Sequence, residues 1–123
     1  MYKLIVSAAA AVTLFAGAAY AQDVSIVDQF GIGNGQLTDQ AGIGPFSGNN
    51  FSYTGQFGIG NLSMTRQRGA NDSVTIQVGN GNTSLTDQWG VFNSSTTVQT
   101  GNGDYSDTQQ VGFGNVSITL QGN

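Results

Sequence analysis

Glutamine returns through this chain at a nearly fixed interval. It stands at Gln29, Gln40, Gln56, Gln67, Gln77, Gln88, Gln99, Gln110 and Gln121, in steps of 11, 16, 11, 10, 11, 11, 11 and 11 residues. Glycine follows two positions later at Gly31, Gly42, Gly58, Gly69, Gly79, Gly90, Gly101 and Gly112. Asparagine stands six positions before the next glutamine at Asn34, Asn50, Asn61, Asn71, Asn82, Asn93 and Asn115, with Asp104 in its place once. A period this short and this strict marks a repeat architecture, in which each unit buries its surface against its neighbours.

Each unit, N-x-S-x-T-x-Q-x-G-x-x, reads as strand then turn. SVTIQV (Ser73 to Val78) and VSITLQ (Val116 to Gln121) alternate in polarity and are rich in β-branched residues. The connectors GIGN, GNGN and GFGN supply the Gly and Asn that tolerate positive φ. Glycine in every unit opposes a helix. One such strand buries nothing alone. The expected fold is therefore all-β, a β-solenoid of about nine short strands, two to a coil, stacked cross-β at about 4.8 Å. Nine strands give roughly four and a half turns, on the order of 20 Å tall. Stacking places like on like, so Gln and Asn form structural ladders, each amide carrying both donor and acceptor for its copies above and below.

Composition narrows the function classes. Residues 1–21 read as a cleaved signal peptide: Lys3 gives the positive start, Leu4 to Ala18 the apolar run, and Ala19-Tyr20-Ala21 the cleavage site. That run is short for a membrane anchor. The repeat domain, 22–123, has no Cys, His, Glu or Lys, and sets seven Asp against Arg66 and Arg68. Without the usual bases and nucleophiles, an enzyme is not expected. Two arginines make no nucleic-acid footprint. Neither a cofactor, a metal nor a small-molecule substrate is called for. GNGN and GNGD resemble calcium-binding β-roll turns only faintly, because Asp104 alone stands in such a place. The 16-residue step holds Pro45, which cannot donate to a ladder, and implies an irregular loop at 42–50.

QFGIGN (Gln29 to Asn34 and Gln56 to Asn61), QVGNGN (Gln77 to Asn82) and QVGFGN (Gln110 to Asn115) resemble the Q-x-G-x-x-N core of the curlin repeat. TRQRG and TDQWG also look like curlin strands, and the resemblance spans Val24 to Gln121. It implies a secreted structural subunit of a curli-like extracellular amyloid fibre, major subunit or nucleator, serving biofilm matrix and adhesion. It also implies self-polymerisation through end strands, other curli-type subunits and an export channel as partners, and a cell-surface, fimbrium-type location. An open solenoid edge templates further pairing unless capped, which agrees. Curlin repeats place an addressing segment before the first strand, where this chain has only Gln22 and Asp23. The alternative is a monomeric secreted β-solenoid whose exposed Ser-x-Thr array binds ice or polysaccharide.

This chain departs from the curlin pattern in two rows, where curlin strands commonly carry apolar residues. Four before glutamine stand Ser25, Ser52, Ser63, Ser73, Ser84, Ser95, Ser106 and Ser117, with Gln36 the exception. Two before it stand Thr38, Thr54, Thr65, Thr75, Thr86, Thr97, Thr108 and Thr119, with Val27 the exception. The opposite parity is greasier but carries Asp28, Asp39, Arg66 and Asp87. Hydrophobic burial favours the greasy face inside at about 25 cal/mol per Å2. Burying those charges unpaired costs several kcal/mol each. The expectation is a narrow interior of Ser, Thr, Gln and Asn, with the greasy face partly exposed or covered between filaments.

Overall fold

The computed structural model describes residues 23–42 and 49–123. The proposed signal peptide and most of the 42–50 loop lie outside them. Seven parallel strands form one continuous sheet: β1 (Val24–Ile32), β2 (Gly35–Ala41), β3 (Phe51–Ile59), β4 (Leu62–Asn80), β5 (Thr83–Asn102), β6 (Tyr105–Phe113) and β7 (Val116–Gly122). The sheet winds on itself as a β-solenoid. β1 pairs with β3, β3 with the second half of β4, that half with the second half of β5, and this with β7. β2 pairs with the first half of β4, which pairs with the first half of β5, which pairs with β6. The solenoid thus has two walls: wall one from 24–32, 51–59, 72–80, 94–102 and 116–122, and wall two from 35–41, 62–70, 83–91 and 105–113.

The strand count is seven rather than nine. β4 and β5, at 19 and 20 residues, each run through a corner without losing their ladder partners. The reason is local. At Gly69 and Gly90 the neighbouring backbones turn together, so pairing continues around the bend. In the corners after β3, β4, β5 and β6, a second glycine closes a tight turn, and its N–H donates to the rung before: Gly60 to the Ile32 carbonyl at 2.9 Å and Gly81 to Ile59 at 2.9 Å.

The register is like on like. Ser52 pairs with Ser73, Thr54 with Thr75, Gln56 with Gln77, and Gly58 with Gly79. One irregularity breaks it, between Ala70 and Asn71, where Val91 and Asn93 are the partners and Phe92 is passed over. Here a ten-residue step lies beneath an eleven-residue one. Phe92 is the surplus residue, held at φ 59° and turned out to solvent at 68% exposure, with its ring edge-on to Phe113 at 5.3 Å.

Among the described residues no hydrophobic side chain is buried. The interior is Ser, Thr, Gln and Asn: Ser52, Thr54, Gln56 and Asn50 on one coil, then Ser73, Thr75, Gln77 and Asn71 above it on the same wall, are at 0–1% exposure. The polar face is the inside. The gap between the walls is narrow enough for Thr54 and Ser63 hydroxyls to approach to 3.5 Å. Larger apolar side chains have no room there, and their row faces outward instead.

Candidate functional site

The sites of interest in this solenoid are its amide ladders, built from the repeated glutamines and asparagines. On wall one the Nε2 of Gln29 donates to Gln56 Oε1 at 2.6 Å, Gln56 to Gln77 at 2.8 Å, Gln77 to Gln99 at 2.8 Å and Gln99 to Gln121 at 2.8 Å. On wall two Gln40 donates to Gln67 at 2.8 Å, Gln67 to Gln88 at 2.9 Å and Gln88 to Gln110 at 2.8 Å. All nine sequence-selected glutamines therefore join two columns, one of five and one of four.

Every ladder amide above Gln29 has a further bond that the spacing did not suggest. The other Nε2 proton crosses the interior to the first strand carbonyl of the opposite wall. Gln77 donates to Leu62 O, Gln88 to Asp72 O and Gln99 to Thr83 O, each at 2.9 Å. An inner glutamine thus spends both donors and its oxygen without water. A buried amide lacking a partner costs about 1–3 kcal/mol, so full satisfaction is what makes a polar core tenable. The period fixes this geometry: eleven residues bring the next glutamine to the opposite wall, one corner away from that carbonyl.

The asparagines clasp the corners. Asn61 N–H donates to Asn34 Oδ1 at 3.0 Å, Asn82 to Asn61 at 3.0 Å, and Asp104 to Asn82 at 2.9 Å. At the opposite edge Asn71 donates to Asn50 at 3.0 Å, Asn93 to Asn71 at 3.3 Å, and Asn115 to Asn93 at 3.1 Å. The amide nitrogens reach the glycine of the next rung: Asn34 to Gly58 O at 3.2 Å, Asn61 to Gly79 O at 3.0 Å, Asn93 to Gly112 O at 3.2 Å. Asp23 takes the asparagine role at the base of this second column, accepting from Asn50 N–H at 3.0 Å. Sequence reasoning overlooked it, although it stands six positions before Gln29 as the asparagines do.

The turn glycines Gly31, Gly58, Gly69, Gly79, Gly90, Gly101 and Gly112 have φ between 117° and 146°. A Cβ at Gly58 would collide with the Gly79 backbone oxygen of the next rung. Stacking corners at strand spacing leaves no space for any side chain, which is why this position is glycine. Gly42 lies at the edge of the described residues and is exposed.

The inward hydroxyls are less well served. Ser52, Ser73, Ser84, Ser95, Thr65, Thr75, Thr86 and Thr97 are buried with no hydrogen-bond partner among the described residues. They fill space at the width the amides set. Two sequence exceptions sit on the first rung: Gln36 bonds the Thr38 hydroxyl, and Val27 is exposed.

The ion pairs lie on the outside, whereas Asp23 and Asp104 stand in the asparagine columns, Asp104 with a buried Oδ2 that has no partner among the described residues. Arg66 pairs with Asp87 at 3.2 Å, and Arg68 with Asp39. The hydrogen bond from Arg68 holds the Asp39 carboxyl below the usual aspartate value and raises the Arg68 pKa in turn. Limited burial, with help from a hydrogen bond to Asp28 at 3.1 Å, pushes the Tyr53 hydroxyl up. Among the described residues there is no group of three or more acidic, His or Cys side chains able to hold a metal. No family model, no curated protein and no solved structure matches this chain.

Proposed function

We propose that this chain is a secreted structural subunit of an extracellular amyloid fibre, built on the curlin plan and polymerising by stacking solenoid on solenoid. One observation carries the reading: the amide columns are directional, and their two ends are complementary. Among the described residues the glutamine columns start with the carbonyl oxygens of Gln29 and Gln40 and finish with the amide groups of Gln110 and Gln121. The asparagine columns run the other way, with side-chain oxygen at the upper end and backbone N–H at the lower. A second copy of the same polarity, turned by half a turn so that its β1 and β2 seat on β6 and β7, meets donor with acceptor in every column. The edges of the terminal rungs present strand backbone in the same directional manner, a template for pairing.

Cross-rung stacking of identical side chains with every amide bonded is the chemistry that stabilises cross-β fibres. The water-facing Ser-x-Thr array of the alternative requires those rows outside, whereas they lie in the interior. In this reading the outward Asp and Arg residues slow premature association before export. Export through a dedicated channel, co-assembly with other subunits, and roles in biofilm matrix and adhesion belong to the same proposal.

The test is to incubate the chain lacking residues 1–21 and follow thioflavin T fluorescence, then fibre diffraction. Sigmoidal assembly and a meridional reflection near 4.8 Å are expected. A clear monomer after days, with no such reflection, overturns the proposal.

A further inference from the structure

We propose that each junction between stacked copies carries a pH-sensitive pair of aspartates, Asp104 of one copy beneath Asp23 of the next, so that fibres grow more readily as the pH falls. The inference rests on the fibre reading above and deepens it by giving the junction a regulatory group. Acid stands at opposite ends of the two corner columns. One column ends on Asp104, whose N–H bonds Asn82 below it at 2.9 Å; the other starts on Asp23, which accepts from Asn50 above it at 3.0 Å. Within one chain each of these aspartates therefore has an asparagine as its column neighbour. Asp23 directly precedes β1 and Asp104 directly precedes β6. The half turn that seats β1 on β6 thus places the second copy's Asp23 over Asp104, one rung away at about 4.8 Å. In the columns, acid meets acid only there.

The place that Asp104 fills is built for an amide. On the rung below, Asn82 donates from Nδ2 to two carbonyls, Val78 O four residues back at 3.3 Å and Gly101 O of the next rung at 3.2 Å. Asn61 does the same with Phe57 O and Gly79 O. The matching oxygens for Asp104 are those of Thr100 and Asn123, by the same offset and by the register that sets Gly122 against Thr100. A carboxylate has no proton to give them, and Asp104 Oδ2 is buried without a partner among the described residues. A carboxyl group has one. The free chain leaves Asp104 partly open to solvent, and a seated copy closes it. Two carboxylates a rung apart and shut from water disfavour a second charge, so the closed junction takes up a proton. The other titratable groups near this corner are Tyr105 and Asp107 on the outer face of β6, Asp28 on the second copy's β1, and the terminal groups at Gln22 and Asn123 of the chain lacking residues 1–21. Neither arginine is at hand, since Arg66 and Arg68 bond Asp87 and Asp39 on the outer face of wall two.

The experiment measures the soluble concentration left in equilibrium with fibres of the chain lacking residues 1–21. It runs from about pH 6.5 to about pH 4, where the amino group at Gln22 stays charged. The wild type is compared with Asp104→Asn and Asp72→Asn. Asp72 is an exposed aspartate on an inner rung, so its variant removes the same charge away from the junction. The wild-type value is expected to fall with pH by up to about tenfold per unit, the limit for one proton taken up per junction. Asp104→Asn restores the amide of the lower rungs; its value is expected to start several-fold lower at about pH 6.5 and to change much less with pH. Asp72→Asn is expected to run parallel to the wild type. A wild-type value that ignores pH, or an Asp104→Asn curve with the wild-type slope, overturns the pair. Equal flattening by Asp72→Asn and Asp104→Asn reduces the effect to net charge and overturns it too. If Asp104→Asn fails to assemble, Asp23→Asn decides in the same way, because it removes the other half of the pair. A wild type that stays soluble across the whole range overturns the fibre reading and this inference with it. Fibres whose solubility is indifferent to Asp104 overturn this inference alone.

Discussion

Two kinds of glycine with positive φ stand a few atoms apart in the corners after β1, β3, β4, β5 and β6, and they are there for different reasons. Gly79, at φ 122°, lies against the Gly101 backbone of the next rung, so any Cβ collides with that carbonyl. Gly81, at φ 68°, has nothing within 4 Å of where a Cβ would sit. Only the left-handed backbone penalises alanine there, by about 1–2 kcal/mol. Gly79→Ala is therefore expected to cost roughly 3 kcal/mol or more, because two stacked corners must separate. Guanidinium denaturation of the two variants side by side checks the order; equal midpoints would falsify the stacking argument. Phe92 shows that the second position tolerates a side chain. It carries φ 59° where other corners use glycine, offset by its edge-on contact with Phe113.

At the scale of the element, each strand is a compromise between one well-bonded row and one poorly bonded row. Gln77 satisfies all of its amide, whereas Thr75, equally buried two residues away, has no partner for its hydroxyl. Valine has nearly the same shape as threonine without the hydroxyl to desolvate. Thr75→Val is therefore expected to raise stability by about 1 kcal/mol. Thr75→Leu should lower it by about 1–3 kcal/mol, since an extra carbon has no room between the walls. Denaturation midpoints of the two variants measure this; a destabilising valine would mean that the hydroxyl row is bonded after all. Strand type, period and the rows of serine and threonine were all readable from residue order, because parity along a strand and stacking between strands are both set by it. Continuity of β4 and β5 through their corners was not, because it depends on neighbouring backbones bending together. Nor was the bond from Gln77 to Leu62 O readable, because it crosses the interior between walls.

The whole molecule has an acidic surface with one side strapped by ion pairs. The Arg68 hydrogen bond keeps the folded Asp39 pKa below its unfolded value. The pairing therefore contributes in full above about pH 4 and is lost as pH falls through the folded value. Asp39→Asn should flatten the acid limb of the stability curve below about pH 4 relative to the wild type. Midpoints measured across that range check it, and parallel curves would show that Arg68 adds nothing at this exposed site, as is common for surface pairs.

Residue order by itself determined the repeat, the β class, the stacking of like on like and the positions of the ladder glutamines and asparagines. These follow from a local period, which any parallel stacking of the units must respect. The tertiary structure decided which parity is buried, because Asp28 and Tyr53 weigh against each other on one face until the width between the walls is known. It also decided that successive repeats belong to opposite walls, so that Asp39 and Arg66 share one side while Val74 and Val98 share the other. That separation is a property of winding, which brings residues 21 or 22 apart into contact and turns those 11 apart away from each other.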